Sequence, residues 1–159
     1  MNGIVIRPIK THAEAELCAQ MMASSEPWKT LRRDYRASLK TIIDPVKEVY
    51  LAVADEAVAG FIILNMTGAF VGYIQSVCVG PQWRGRGIGS ALMAFAEARI
   101  FRDTPNVFIC VSSFNPQAQA LYTRLGYCVV GELEDYVVAG HSEILMRKTI
   151  GALVDLRHD

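Results

Sequence analysis

Arg84-Gly85-Arg86-Gly87-Ile88-Gly89-Ser90-Ala91 is the stretch whose reading decides the fold. Three glycines at every second position let bare backbone come close to a ligand. An apolar run, Ile74 to Val79, leads into the turn, and a helix-patterned segment, Ile88 to Ile100, leads out. Strand, glycine turn and helix start together aim backbone N–H groups at an anion. Arg84 and Arg86 add positive charge at the same place. The stretch reads as a site for a phosphate-bearing cofactor, with a tight strand-to-helix turn as the structural alternative.

Two common phosphate motifs do not fit it. A P-loop needs Lys and then Ser or Thr after its last glycine, and here Gly89 is followed by Ser90-Ala91. A dinucleotide fingerprint needs G-x-G-x-x-G after the first strand of a parallel unit. This chain has evenly spaced Gly85, Gly87 and Gly89, and the segments before them form a meander. Glu48 to Asp55, Ala57 to Asn65 and Gly72 to Val79 read as three sequential strands with short links, the first joined at Asp55-Glu56.

Upstream, Ile4 to Ile9 reads as a strand. Thr11 with Glu14 three residues on is a capping box for a helix carrying Ala15, Cys18 and Met22. A second helix is expected over Lys29 to Ile43, ended by Asp44-Pro45, with Arg32, Arg33, Asp34, Arg36 and Lys40 on its polar side. Those charges read as a solvated face or as a rim that attracts an acidic substrate. Downstream, Val107 to Val111 is a strand, and Asn115-Pro116 is an N-cap with proline at the first helical position. Ala118, Leu121, Tyr122 and Leu125 keep helical spacing up to the C-cap Gly126. Tyr127 to Val130 and Glu134 to Val138 read as strand, interrupted at Gly131, and Glu143 to Thr149 as the last strand. Residues 151–159 lack pattern. The order predicts one domain with a mixed α/β sheet, parallel in the middle and antiparallel at its ends.

Composition narrows the partners. Acidic and basic residues balance at 16 each, which argues against a general nucleic-acid binder. Met1-Asn2-Gly3-Ile4-Val5-Ile6 meets Arg7-Pro8 too soon for a signal peptide, and no apolar run approaches the roughly 20 residues that span a bilayer. A cytoplasmic protein without membrane partners is expected. Cys18, Cys78, Cys110 and Cys128 form no C-x-x-C pair, so neither a disulfide framework nor a metal site is expected, and the thiols read as reduced and mostly buried.

Two motifs in order resemble the GNAT superfamily of N-acetyltransferases. Arg84, Gly87 and Gly89 match its acetyl-CoA signature Q/R-x-x-G-x-G/A. Asn115, Ala118, Leu121, Tyr122, Gly126 and Tyr127 match its second motif, N-x-x-A-x-x-L-Y-x-x-x-G-F/Y. The resemblance runs from Tyr73 to Arg147. It implies a mostly antiparallel α/β sheet of about six to seven strands with helices on both faces. It implies acetyl-CoA as donor, a small-molecule or peptide amine as acceptor, and a possible homodimer through the C-terminal strands. The N–H groups of Arg84, Gly85, Arg86, Gly87, Gly89 and Ser90 would hold the pyrophosphate. The edge at Val77 and Val79 would pair with the pantetheine amides, a bulge would splay this strand from Val107 to Val111, and an N–H near Val79 would then stabilise the oxyanion. Asn115 would contact the cofactor or only cap its helix. Tyr122, seven residues further along the same helix side, would be the general acid for the CoA thiolate.

The resemblance leaves the base unassigned. Many family members carry glutamate on the strand before the turn, where this chain has Gln75 in Tyr73-Ile74-Gln75-Ser76-Val77. A water chain, Glu26, Tyr136 and His141 are the open candidates. Cys78 reads as a buried thiol, or as an acetyl-carrying nucleophile. Without an assigned base, a non-catalytic acetyl-CoA sensor is the alternative function, and a nucleotide binder unrelated to CoA is a third.

Overall fold

Local signals start the helices. Helix α1 (His12–Ala23) opens on a complete capping box: Thr11 accepts the Glu14 N–H, and the Glu14 carboxylate accepts the Thr11 N–H. Arg7 of strand β1 (Val5–Pro8) reaches the same carboxylate at 2.6 Å and, with it, holds the Glu14 pKa down to about 2. This lowered carboxyl stabilises the fold at pH values above its ordinary value near about 4.3, and that contribution is lost as pH falls toward the folded value. Thr11→Ala is expected to cost about 1 kcal/mol in denaturant unfolding. Glu14→Gln should flatten part of the acid limb of stability against pH.

The computed structural model describes residues 3–155. Met1-Asn2 of the N-terminal reading and residues 156–159 of the unpatterned tail lie outside that range. Helix α2 is Tyr35–Ile42, shorter than the expected span. Arg32 adopts φ 56°, which a continuing helix does not allow, and the Asp34 carboxylate then caps a new start by accepting the Ala37 N–H at 2.8 Å. The remaining elements are β2 (Lys47–Ala54), β3 (Ala57–Asn65), β4 (Tyr73–Val79), α3 (Ile88–Ile100), β5 (Asn106–Ser112), α4 (Pro116–Arg124), β6 (Cys128–Leu133) and β7 (Glu143–Thr149). Glu134 to Val138 is not a strand. Asp135 takes φ 53°, and its carboxylate accepts the Gly140 N–H at 2.7 Å, closing a turn.

The strands form one sheet in the order β1-β2-β3-β4-β5-β7-β6. Every neighbouring pair is antiparallel except β4 with β5, so the fold is mixed and mostly antiparallel α/β. Helices cover both faces. On one, α3 and α4 pack over Ile62, Leu64, Ile74, Val107 and Ile109. On the other, α1 and α2 pack over Leu51, Phe61, Ile63 and Cys78. No described helix is long and apolar enough to cross a membrane. Two cysteines depart from the expected burial. Cys18 and Cys78 are buried, but Cys110 is half-buried and Cys128 is exposed because β6 is the sheet edge.

Ile74 and Cys78 are four residues apart, so a regular strand would point both to one face. They lie in opposite cores. The register explains this: Ile63 pairs with Ser76 and Leu64 with Ile74, so Gln75 is an extra residue, a β-bulge. The bulge reverses the facing of everything after it. Beyond Ile74 the pairing of β4 with β5 also stops, with only Tyr73–Phe108 and Ile74–Ile109 in register. Gly72 sets the point of closest approach. Its carbonyl accepts the Phe108 N–H, and a Cβ there would lie 2.5 Å from the Asn106 carbonyl oxygen. The two strands therefore meet at one end and part at the other.

Candidate active site

The glycine turn follows β4. A single turn at Pro81–Trp83 leads into it, and the Arg84 Nε–H reaches back to the Val79 carbonyl at 3.4 Å. Arg86 lies over the Trp83 ring, 5.2 Å from its centroid. Gly85 and Gly87 have φ of 75° and 79°, and a Cβ at either would meet nothing within 4 Å. Glycine is needed there for the backbone angle, and the space beside it is open. Gly87 is the N-cap of α3 and offers no side chain to the first N–H groups of the helix. Arg84 to Gly87 and Ser90 are exposed, and Gly89 lies against Val79. Bare N–H groups, a helix dipole and two guanidinium groups suit a pyrophosphate.

Where β4 and β5 part, a cleft of about 540 Å³ opens. Val77, Asn115 and Tyr122 line it, whereas Val79 and the glycine turn lie outside it, at the end of the strand. The unpaired length of β4 after Ile74 supplies free backbone groups along one wall. The Gln75 Oε1 is buried there without a hydrogen-bond partner among the described residues. Asn115 caps α4 by accepting the Ala118 N–H at 3.2 Å. Tyr122 is 8% exposed, and burial pushes its phenol up to about 12. The motif's Tyr127 is a fastening: its hydroxyl donates to Glu97 of α3, which also receives Lys148 of β7.

The other side of the cleft holds a group not singled out in the sequence. Glu143 opens β7 opposite Ser112 of β5, whose hydroxyl donates to its carboxylate at 2.9 Å. Glu143 is 5% exposed, and burial raises its pKa, partly offset by that hydrogen bond. Strand alternation fixes its face. Val107, Ile109 and Val111 point to the α3 and α4 core, so Cys110, Ser112 and the residue paired with Ser112 point the other way. Tyr73 also points that way, and its phenol is raised by burial and then by neighbouring Cys110. Glu143 and Tyr122 thus lie on opposite faces of the sheet and line one cleft. Glu143 is the only carboxylate among the lining residues. The sequence signal that could have found it is a lone acid opening an apolar strand, Glu143-Ile144-Leu145-Met146.

The other candidates separate clearly. Glu26 is exposed, accepts from the Thr30 hydroxyl at 2.6 Å and does not line the cleft. The His141 ring meets Phe114 edge-on and is also outside it. Tyr136 does line it. Cys78 faces the α1 core, and burial pushes its thiol up to about 12, which fits an inert thiol rather than a nucleophile.

The family model described as the acetyltransferase (GNAT) family matches residues 13–127. A blasticidin-S acetyltransferase of Streptomyces morookaense is 30% identical over 91 residues, covering 53% of this chain and 67% of that protein. A Desulfovibrio desulfuricans structure assigned to the GNAT family superposes with a TM-score of 0.81 at 17% identity, covering 94% of this chain and all of that one. An aminoglycoside 6'-N-acetyltransferase complexed with coenzyme A superposes at 0.74 and 16% identity, covering 98% of this chain and 99% of that one. Those two structures share the fold. The model match takes in the bulged strand, the bare glycine turn and the capped tyrosine helix, and by it this chain belongs to the GNAT family of acetyltransferases.

Proposed function

We propose that the protein transfers an acetyl group from acetyl-CoA to an amine by direct attack. The observation that carries this is the parting of β4 and β5 at Gln75, with a buried carboxylate on one face of the gap and a buried phenol on the other. Acetyl-CoA supplies an activated thioester. The N–H groups of Arg84 to Ser90 hold its pyrophosphate, and the free edge at Val77 and Val79 pairs with the pantetheine amides. An N–H near Val79 faces the developing oxyanion. Asn115 caps α4 and so fixes Tyr122, which donates to the departing sulfur. Glu143 takes the proton of the incoming amine. A lysine-like amine has a pKa near about 10.4, so a carboxylate raised by burial is a better base than an exposed one. A buried carboxylate lining the cleft favours catalysis over a purely sensing role. We place the protein in the cytoplasm on its four free cysteines. A homodimer would pair through the open edge of β6, where Val129 and Val130 are exposed.

Thermal shift with acetyl-CoA, ATP and NAD tests the donor. Acetyl-CoA alone should raise the melting temperature, and a rise with ATP or NAD instead would overturn the reading. CoA release over an amine panel tests the transfer. Gly87→Ala should weaken acetyl-CoA binding about five-fold, because an L side chain in the left-handed region costs about 1–2 kcal/mol and the turn relaxes away from the ligand.

A further inference from the structure

The amine has a destination in Glu143, and the remaining charges of the same cleft describe the rest of the molecule that brings it. Lys47 is on the face of β2 that carries Val49 and Leu51, the α1 and α2 side. Through Asn65 it pairs across the sheet toward Tyr73, so it shares the face of Glu143. Arg33 closes the same side from the segment before α2, with its own N–H bonded to the Trp28 carbonyl at 2.9 Å. Both line the cleft, and both are only partly exposed. Among the described residues neither side chain has an ion-pair partner. The acids near them in sequence are engaged elsewhere: Asp34 accepts the Ala37 N–H, Asp44 accepts the Val46 N–H at 2.9 Å, and Glu48, next to Lys47 but on the other face of the strand, pairs with Arg99 at 2.8 Å.

Two half-buried cations without counter-charges, in a cleft whose single carboxylate is needed for an amine, repel a polycation and favour an anion. Resting on the transferase reading above, we infer that the acceptor is an amine that also carries a carboxylate. Its ammonium end meets Glu143, and its carboxylate end meets Arg33 and Lys47. Arg33 can receive the carboxylate through two parallel N–H bonds, and Lys47 as a point charge. Trp28 and Leu31, which line the same side, cover the apolar stretch between the two ends. Glu143 gives up no charge in binding, since the ammonium satisfies it, and it then takes one proton from that ammonium, which frees the nitrogen lone pair to attack. The C–N bond forms at the thioester carbon, the C–S bond breaks with its electron pair leaving on sulfur, and the second proton lost by nitrogen ends on that sulfur as the free CoA thiol. A polyamine or an aminoglycoside would instead set further ammonium groups against Arg33 and Lys47.

The test measures CoA release for a series of ω-amino carboxylates against alkylamines and diamines of matched chain length, whose amines have similar basicity. The carboxylates should give kcat/KM about ten-fold above the neutral amines, with the diamines lowest. Lys47→Ala and Arg33→Gln should each raise KM for the carboxylates about five-fold and leave the alkylamines unchanged. Equal or better turnover of the diamines overturns the inference, as do variants that slow every acceptor alike. Release that ignores the carboxylate leaves the transferase reading standing. No release with any acceptor overturns the inference, and if acetyl-CoA also fails to raise the melting temperature the transferase reading falls with it.

Discussion

Glu143→Gln should lower kcat about 100-fold while leaving acetyl-CoA binding intact, the low end for loss of a general base. The glutamine keeps the shape and still accepts the Ser112 hydroxyl, so the cleft should hold its form. The wild-type rate should rise with pH through the raised Glu143 pKa, and that limb should vanish in the variant. Stability should move the other way. A carboxyl whose folded pKa is raised contributes stability below its ordinary value near about 4.3 and loses it as pH rises through the folded value. Above its raised pKa the wild type carries a buried charge whose one hydrogen-bond donor among the described residues is Ser112, so Glu143→Gln should melt higher there and show a flatter pH dependence. Aspartate at this position, shorter by one methylene, should recover part of the rate. An unchanged kcat with Gln would end the assignment.

Tyr122→Phe should lower kcat about ten-fold or somewhat more, again with acetyl-CoA binding preserved. The modest figure has a reason. The phenol is pushed up to about 12, whereas a thiol ordinarily ionises near about 8.5. Full proton transfer between groups so separated is uphill by about 5 kcal/mol. We therefore propose Tyr122 as a hydrogen-bond donor to sulfur as charge collects there, its raised pKa keeping it protonated. The signature is a lower kcat without loss of any pH limb, read beside the profile of Glu143→Gln. A double variant that falls by the product of the single effects would match two groups acting on opposite faces.

Much of this was legible in the chain. The capping box at Thr11, the cap at Asn115, the glycine turn and the meander are local signals, and local signals survive folding. The strand order around β4 and the helix after the turn followed from spacing and from the two motifs. What the chain hid is non-local. The resemblance implies a bulge that splays this strand from Val107 to Val111, but Gln75 lies in an ordinary alternating run, and only its register against Ile63 and Leu64 places the extra residue there. Glu143 looks like the polar start of an edge strand until β7 is found inserted between β5 and β6, with Ser112 opposite. Helix α2 is shorter than its hydropathy pattern suggests because its start is set by the φ at Arg32 and the cap at Asp34. Glu134 to Val138 has strand composition, but the Asp135 carboxylate closes a turn there instead.

The gap beside Gln75 opens on both faces of the sheet, between residues of α4 on one side and of the segment around Trp28 on the other. On the proposed transfer, donor and acceptor would then have separate doors. Neither has to leave before the other arrives, so initial-rate plots should intersect rather than run parallel. Nor does a large acceptor have to enter whole. Only its amine needs to reach the opening, and a one-residue insertion in a strand suffices to make that opening without a dedicated loop or lid.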